Sequence, residues 1–109
     1  ITNRRANMAF KKQYLKSKAV CKVTFKITKD EAHEAESVRL VGDFNNWDTS
    51  SAPMKKLKDG SFTTTVELNK DAKYQFRYLL NDQEWENDWA ADEYLPSPIS
   101  FAENSVVNV

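Results

Sequence analysis

Three stretches of this chain alternate apolar and polar residues with a period of two, and that alternation excludes most of the folds open to a chain of 109 residues. Cys21, Val23, Phe25 and Ile27 are interleaved with Lys22, Thr24 and Lys26; Phe62, Thr64, Val66 and Leu68 with Thr63, Thr65 and Glu67; Tyr74, Phe76, Tyr78 and Leu80 with Gln75, Arg77 and Leu79. Successive side chains of a strand point to opposite faces, so each run predicts a half-buried β-strand. Val23, Phe25, Leu40, Phe62, Val66, Phe76 and Tyr78 then line the inner faces. A further strand runs from Ser37 to Gly42, and Met54 to Lys58, Glu84-Trp85-Glu86 and Asn104 to Val109 supply short ones. Asp59-Gly60 between two strands is a hairpin signal, and Asn69 to Ala72 and Asn81-Asp82-Gln83 make two more turns. Helical spacing is confined to Ala9 to Ser17, where Phe10, Tyr14 and Leu15 fall on one side of a short helix that must dock to persist. Closely spaced strands separated by turn residues predict an all-β fold, an antiparallel β-sandwich.

A chain of this length makes one domain, well short of the roughly 250 residues of a barrel-type hydrolase. No apolar run approaches the roughly 20 residues that span a bilayer, so no membrane partner is expected. Cys21 is the single cysteine; it is read as core, and with no signal-peptide pattern it predicts a reducing, cytoplasmic setting. Formal charge is zero, yet no Asp or Glu precedes Asp30, so the positive charge is gathered at the start. Residues 1–19 read as a basic arm, with Ile1 to Asn7 lying ahead of a natural start at Met8, and residues 20–109 as the sandwich. Glu84, Glu86, Asp88, Asp92 and Glu93 read as a charged rim on a solvated loop, not as a glycosidase pair, which needs a fixed separation across a cleft. One histidine, His33, and one cysteine make no zinc site, and Asp88 to Asp92 lacks the spacing of a calcium loop. With no nucleophile grouping and no phosphate loop, no catalytic residue, metal or cofactor is predicted.

Asp43, Asn45 and Asn46 follow the strand that ends at Gly42, and their short side chains bond nearby backbone and tolerate left-handed angles. Trp47 therefore sits on a tight corner, either folded back as a satellite of the core or presented for binding. If Tyr74, Phe76 and Tyr78 face the core, Arg77 faces outward, just ahead of the turn that delivers Trp85. Two indoles, a planar cation and amide side chains suit a neutral sugar, whose ring has an apolar C–H face for stacking and hydroxyls at its edge. The alternative is that Arg77 is a solvated strand residue and Trp85 packs across strands.

The run Ser37-Val38-Arg39-Leu40-Val41-Gly42-Asp43-Phe44-Asn45-Asn46-Trp47-Asp48, followed by Tyr74-Gln75-Phe76-Arg77-Tyr78 and Trp85, resembles carbohydrate-binding module family 48. That family includes the glycogen-binding domain of the AMP-activated protein kinase β subunit and the N-terminal early-set domains of branching enzymes and isoamylases. The resemblance spans Val20 to Val109 and implies an immunoglobulin-like early-set sandwich. It implies that Trp47 and Trp85 are stacking residues, that Arg77 replaces a sugar-contacting lysine, and that Asn104, in the turn before the last strand, bonds glucose hydroxyls. The chain departs from the pattern in three places. The turn Asn81-Asp82-Gln83-Glu84 is one residue longer and lacks its glycine, Asp88-Trp89 replaces Asp-Pro, and Ser100 to Ala102 lack the family's leucine and threonine contacts.

The resulting expectation is a noncatalytic module for α-1,4-linked glucan, met as glycogen, maltooligosaccharide or cyclodextrin, with a glucan-processing enzyme as an associate and no nucleic-acid partner. The rival is a protein-interaction or accessory domain without sugar binding of its own, its basic segment Lys11 to Lys29 contacting an acidic protein or nucleic acid. Trp89 and Tyr94 have no counterpart in the family and are expected to plug the end of the sandwich.

Overall fold

The structure is a computed structural model that describes residues 10–97 and 103–109; expectations for Ile1 to Asn7 and for Ser100 to Ala102 lie outside them. In chain order the strands are β1 (Phe10–Tyr14), β2 (Val20–Ile27), β3 (Val38–Gly42), β4 (Lys55–Lys56), β5 (Phe62–Asn69), β6 (Lys73–Leu80), β7 (Glu84–Glu86), β8 (Glu93–Pro96) and β9 (Glu103–Asn108). They form two antiparallel sheets. One has the order β1-β2-β5-β4; the other has the order β3-β6-β9-β8, with β7 also beside β6. The all-β sandwich is thus the observed architecture. No helix among the described residues is long and apolar enough to cross a membrane.

The three alternating runs become β2, β5 and β6 because each has an apolar inner row to bury. β2 and β5 pair throughout, from Val20 opposite Asn69 to Ile27 opposite Phe62. β6 is flanked on one edge by β3, with Leu40 opposite Tyr78 and Val41 opposite Arg77. Its other edge is shared by β9, with Phe76 opposite Ser105, and β7, with Leu79 opposite Trp85. Between the sheets the rings of Phe25 and Phe76 meet edge to face at 5.1 Å. Of the residues expected inside, Val23, Phe25, Leu40, Phe62, Phe76 and Tyr78 are buried, and Val66 packs half-buried against them. The Asp59-Gly60 hairpin forms between β4 and β5, with Gly60 at φ 89°.

Among the described residues the helix expected from Ala9 to Ser17 is not there; residues 10–14 are the edge strand β1, paired with β2 from Phe10 opposite Phe25 to Tyr14 opposite Cys21. A helix this short has little stability of its own. As a strand, the segment instead buries Phe10 edge to face against Phe25, at 5.4 Å, and near Phe76, at 5.7 Å. Part of the basic arm thus belongs to the sandwich, and Lys12 reaches Asp92 at 2.8 Å.

The acidic segment also differs from expectation. Trp89 plugs nothing: it is 54% exposed, its indole Nε1 donating to Glu86 Oε2 at 3.1 Å. Tyr94 is exposed too, while its hydroxyl donates to the Asp88 carbonyl at 2.5 Å and accepts from Ala91 N at 3.2 Å. Asp88, expected on a solvated rim, is 4% exposed. It accepts from the Tyr78 hydroxyl at 2.7 Å and from Ala90 N at 2.9 Å, while its own N–H donates to Ser105 Oγ at 2.8 Å. Burial anchors this loop through a polar network that a hydropathy pattern does not reveal.

Desolvation raises the Asp88 carboxyl to about 6, against the pull of its hydrogen bonds from Ala90 and Tyr78. The unfolded chain therefore ionises Asp88 first, and the folded state loses stability as pH rises between about 4 and 6. The loss is at most about 3 kcal/mol for a shift of about two units. Denaturant titrations of wild type and Asp88→Asn should differ in this way: the variant lacks that decline, and the difference between the two curves is flat above about pH 7. Parallel curves across the range would show that Asp88 is not the group responsible.

Candidate functional site

The corner after β3 is built by side chains that take over where the ladder stops. Asn45, in the 3-10 turn Asp43–Asn45, accepts from Gly42 N at 3.0 Å and donates to the Leu40 carbonyl at 2.9 Å. Asn46 and Trp47 then adopt φ 58° and 55°, and Trp47 N donates to the Gly42 carbonyl at 2.9 Å. A left-handed tryptophan is unfavourable for a bulky side chain and persists only where its surroundings enforce it. Asp43 is the enforcing group. One carboxylate oxygen accepts from Trp47 Nε1 at 2.9 Å and the other from the backbone N–H of Gln75 at 2.8 Å. Gly42 is required because the corner lies tight on β6: a Cβ there would stand 2.5 Å from the Gln75 carbonyl oxygen and 2.7 Å from Phe76 Cβ.

Alternation on β6 turns Gln75, Arg77 and Leu79 away from the core, and residues directly opposite them share that face. Register therefore places Val41 beside Arg77, Val106 beside Gln75 and Trp85 beside Leu79. Asn104 joins the same face, donating from Nδ2 to Gln75 Oε1 at 3.0 Å. Arg77, Trp85 and Asn104 are thus brought to one sheet, and Trp47 is held at the corner beside it through Asp43. Asp43 and Gln75 link Trp47 to Asn104 in an unbroken series of hydrogen bonds. Two details differ from expectation. Asn104 lies within β9 and not in a turn, and at 5% exposure it is a buried amide with one of its two N–H donors engaged by Gln75. The long turn without glycine is accommodated by Asn81 and Asp82 at φ 51° and 59°. Asn81 Oδ1 accepts from Glu36 N and Ser37 N, and Asp82 accepts from Arg39 Nε at 2.8 Å.

The face has an apolar floor and one unsatisfied cation. Val41, Leu79 and Val106 are buried yet stand apart from the inter-sheet core. Arg77 is half-buried among them, and among the described residues its Nε and Nη2 are out of water with no hydrogen-bond partner. Trp85 is 41% exposed, Trp47 partly so. The acids of the 84–93 segment are all engaged: Glu84 and Glu86 with His33, Asp88 with Tyr78, Asp92 with Lys12 and Glu93 with Lys73. Sequence reasoning missed Asp43 and Gln75. The spacing Asp43 to Trp47 and the outward parity of Gln75 with Arg77 were the signals available.

Residues 22–95 match the family described as Carbohydrate-binding module 48 (Isoamylase N-terminal domain), well over half of the chain, and the chain belongs to that family. It is 40% identical over 58 residues to the 1,4-alpha-glucan branching enzyme of Aquifex aeolicus, and 38% identical over 63 residues to the 1,4-alpha-glucan-branching enzyme of Saccharomyces cerevisiae. These matches take in 52% and 50% of this chain but 9% of each enzyme, so the chain spans a small fraction of the curated relatives it matches. Among solved structures it is similar to the enterobactin esterase of Shigella flexneri, with a TM-score of 0.75 over 97% of this chain and 34% of that one. At 9% identity, that likeness is one of fold alone.

The corner makes its own prediction. Asp43→Ala removes two charge-assisted acceptors and should cost about 2–4 kcal/mol in denaturant unfolding, given about 1.5–3 kcal/mol for each such bond and some replacement by water. The Trp47 indole N–H should exchange faster with solvent in the variant. Unchanged exchange at that proton would show that Asp43 does not hold the ring.

Proposed function

We propose that the outer face of the β3-β6-β9-β8 sheet is a noncatalytic binding surface for α-1,4-linked glucan, with Trp47 and Trp85 stacking on sugar rings. The observation that carries this reading is Arg77. A buried charged donor without an acceptor costs about 1–3 kcal/mol or more, and this guanidinium has two such nitrogens beside an apolar floor. A hydroxyl-rich ligand laid along the face supplies those acceptors once the guanidinium turns out toward it, and the floor accepts the apolar side of the sugar. Asn104 acts chiefly by fixing Gln75. The same face on a chain matching 9% of two branching enzymes is consistent with an accessory piece that holds glucan beside a catalytic domain. The chain itself carries no chemistry in this reading, and it should neither hydrolyse nor branch amylose.

Stacking on an open face buries little of the ligand, so maltoheptaose should bind with a Kd on the order of 10 μM to 1 mM, followed by tryptophan fluorescence. The Kd should be nearly independent of salt, whereas docking through the lysine-rich β1 edge would weaken steeply with ionic strength. Trp47→Ala and Trp85→Ala should each remove most glycogen retardation in an affinity gel. Arg77→Met keeps the aliphatic packing and should lower affinity about tenfold or more, without lowering Tm, because it deletes an unpartnered charge and breaks no bond. Retention of wild-type binding by all three variants would sink the reading.

A further inference from the structure

His33 is the single histidine of the chain, and its loop is tightly fixed. Ala32 N donates to the Thr28 carbonyl at 2.9 Å and Glu34 N to that of Lys29 at 3.0 Å, with His33 and Glu34 both left-handed at φ 52° and 58°. The loop projects the imidazole against β7. Its Nδ1 lies 3.0 Å from Glu84 Oε2, and its Nε2 lies 3.1 Å from Glu86 Oε1. These two glutamates flank Trp85, and the second oxygen of Glu86 accepts from Trp89 Nε1 at 3.1 Å. One imidazole is therefore tied to the two carboxylates that flank Trp85 on β7, and through Glu86 to the Trp89 indole.

A neutral imidazole has one N–H and one lone pair, so it donates to one carboxylate and turns its lone pair on the other; only the cation donates to both. Imidazole changes charge between about pH 5 and 8, within the ordinary working range of a protein. β7 needs such a fastening, since it is three residues long and among the described residues pairs only with β6. The donor atoms of His33, Glu84 and Glu86 lie within 4.8 Å of one another. The two ring nitrogens serve different carboxylates, however, so the arrangement is a bridge and not a convergent metal site.

We propose that His33 is a positioning residue: its protonated ring clamps Glu84 and Glu86, orders Trp85 and Trp89, and strengthens glucan binding as pH falls. The proposal rests on the reading of Trp85 as a stacking residue. The other charged groups of its own loop are Lys29, Asp30, Glu31, Glu34 and Glu36, the last 3.9 Å from Lys56. On the β6–β7 hairpin stands Asp82, paired with Arg39. Beyond it lies Asp88 against Tyr78. Burial raises the Asp88 carboxyl to about 6, so its own contribution is separated by variant.

The test is NMR titration of the whole chain between pH 5.5 and 8, following the imidazole and the three indole N–H signals, together with maltoheptaose affinity at each pH. The Trp85 and Trp89 indole signals should move with the imidazole midpoint, in wild type and in Asp88→Asn alike. Affinity should be about threefold tighter at pH 5.5 than at pH 8, the scale of a partly exposed ion pair. His33→Asn, which tolerates the left-handed backbone, should bind at the pH 8 level throughout. Glu84→Gln with Glu86→Gln should do the same without touching the loop. Indole signals that stay fixed while the imidazole titrates overturn the clamp, as does pH dependence that survives in both variants. If no glucan binds at any pH, the reading of the face fails, and the indole signals still decide the clamp.

Discussion

Everything in this molecule hangs on the register of β6. The strand has neighbours on both edges, β3 on one side and β9 followed by β7 on the other. It is buried inward through Phe76 and Tyr78 and carries Gln75, Arg77 and Leu79 outward. A slip of one residue would exchange those rows, placing a guanidinium among phenylalanines and aromatic rings on the outer face. Register is held so firmly because Phe76 touches Phe10, Phe25, Phe44 and Tyr78, which ties both sheets to one ring. The outer face inherits its geometry from that packing.

The corner around Trp47 shows how order is carried from the core to the surface. β3 ends at Gly42 because the next residue pairs through its side chain: the Asp43 carboxylate occupies the Gln75 N–H that a continuing strand would have taken. The same carboxylate holds the indole, so the ring is referenced to β6 by two hydrogen bonds. The left-handed angles at Asn46 and Trp47 are the local cost, offset by the Asn45 and Asp43 bonds.

Two charged groups taken out of water are handled differently. Asp88 is surrounded by donors from Tyr78 and Ala90, and its raised carboxyl reflects the desolvation that those bonds do not cancel. Arg77 carries a guanidinium whose Nε and Nη2 meet no acceptor among the described residues. The contrast separates a buried carboxylate whose bonds are made within the fold from a guanidinium on the outer face whose Nε and Nη2 are left without one.

What the sequence determined by itself was whatever depends on neighbours along the chain. Period-two alternation in β2, β5 and β6, turn chemistry at Asp43 to Asn46 and at Asp59-Gly60, and the outward parity of Arg77 are local properties, and they were legible. Phe10 and Tyr14, four apart, read as a helix because the ring that claims Phe10 lies 15 residues further on, at Phe25. Asn104 read as a turn residue because nothing nearby names Gln75 as its partner. Asp88 read as solvated because its burial depends on Tyr78 and Ser105, and His33 read as isolated because Glu84 is 51 residues away. Only the tertiary structure decided these, since pairing between distant residues is set by how two sheets stack and not by the pattern within either one.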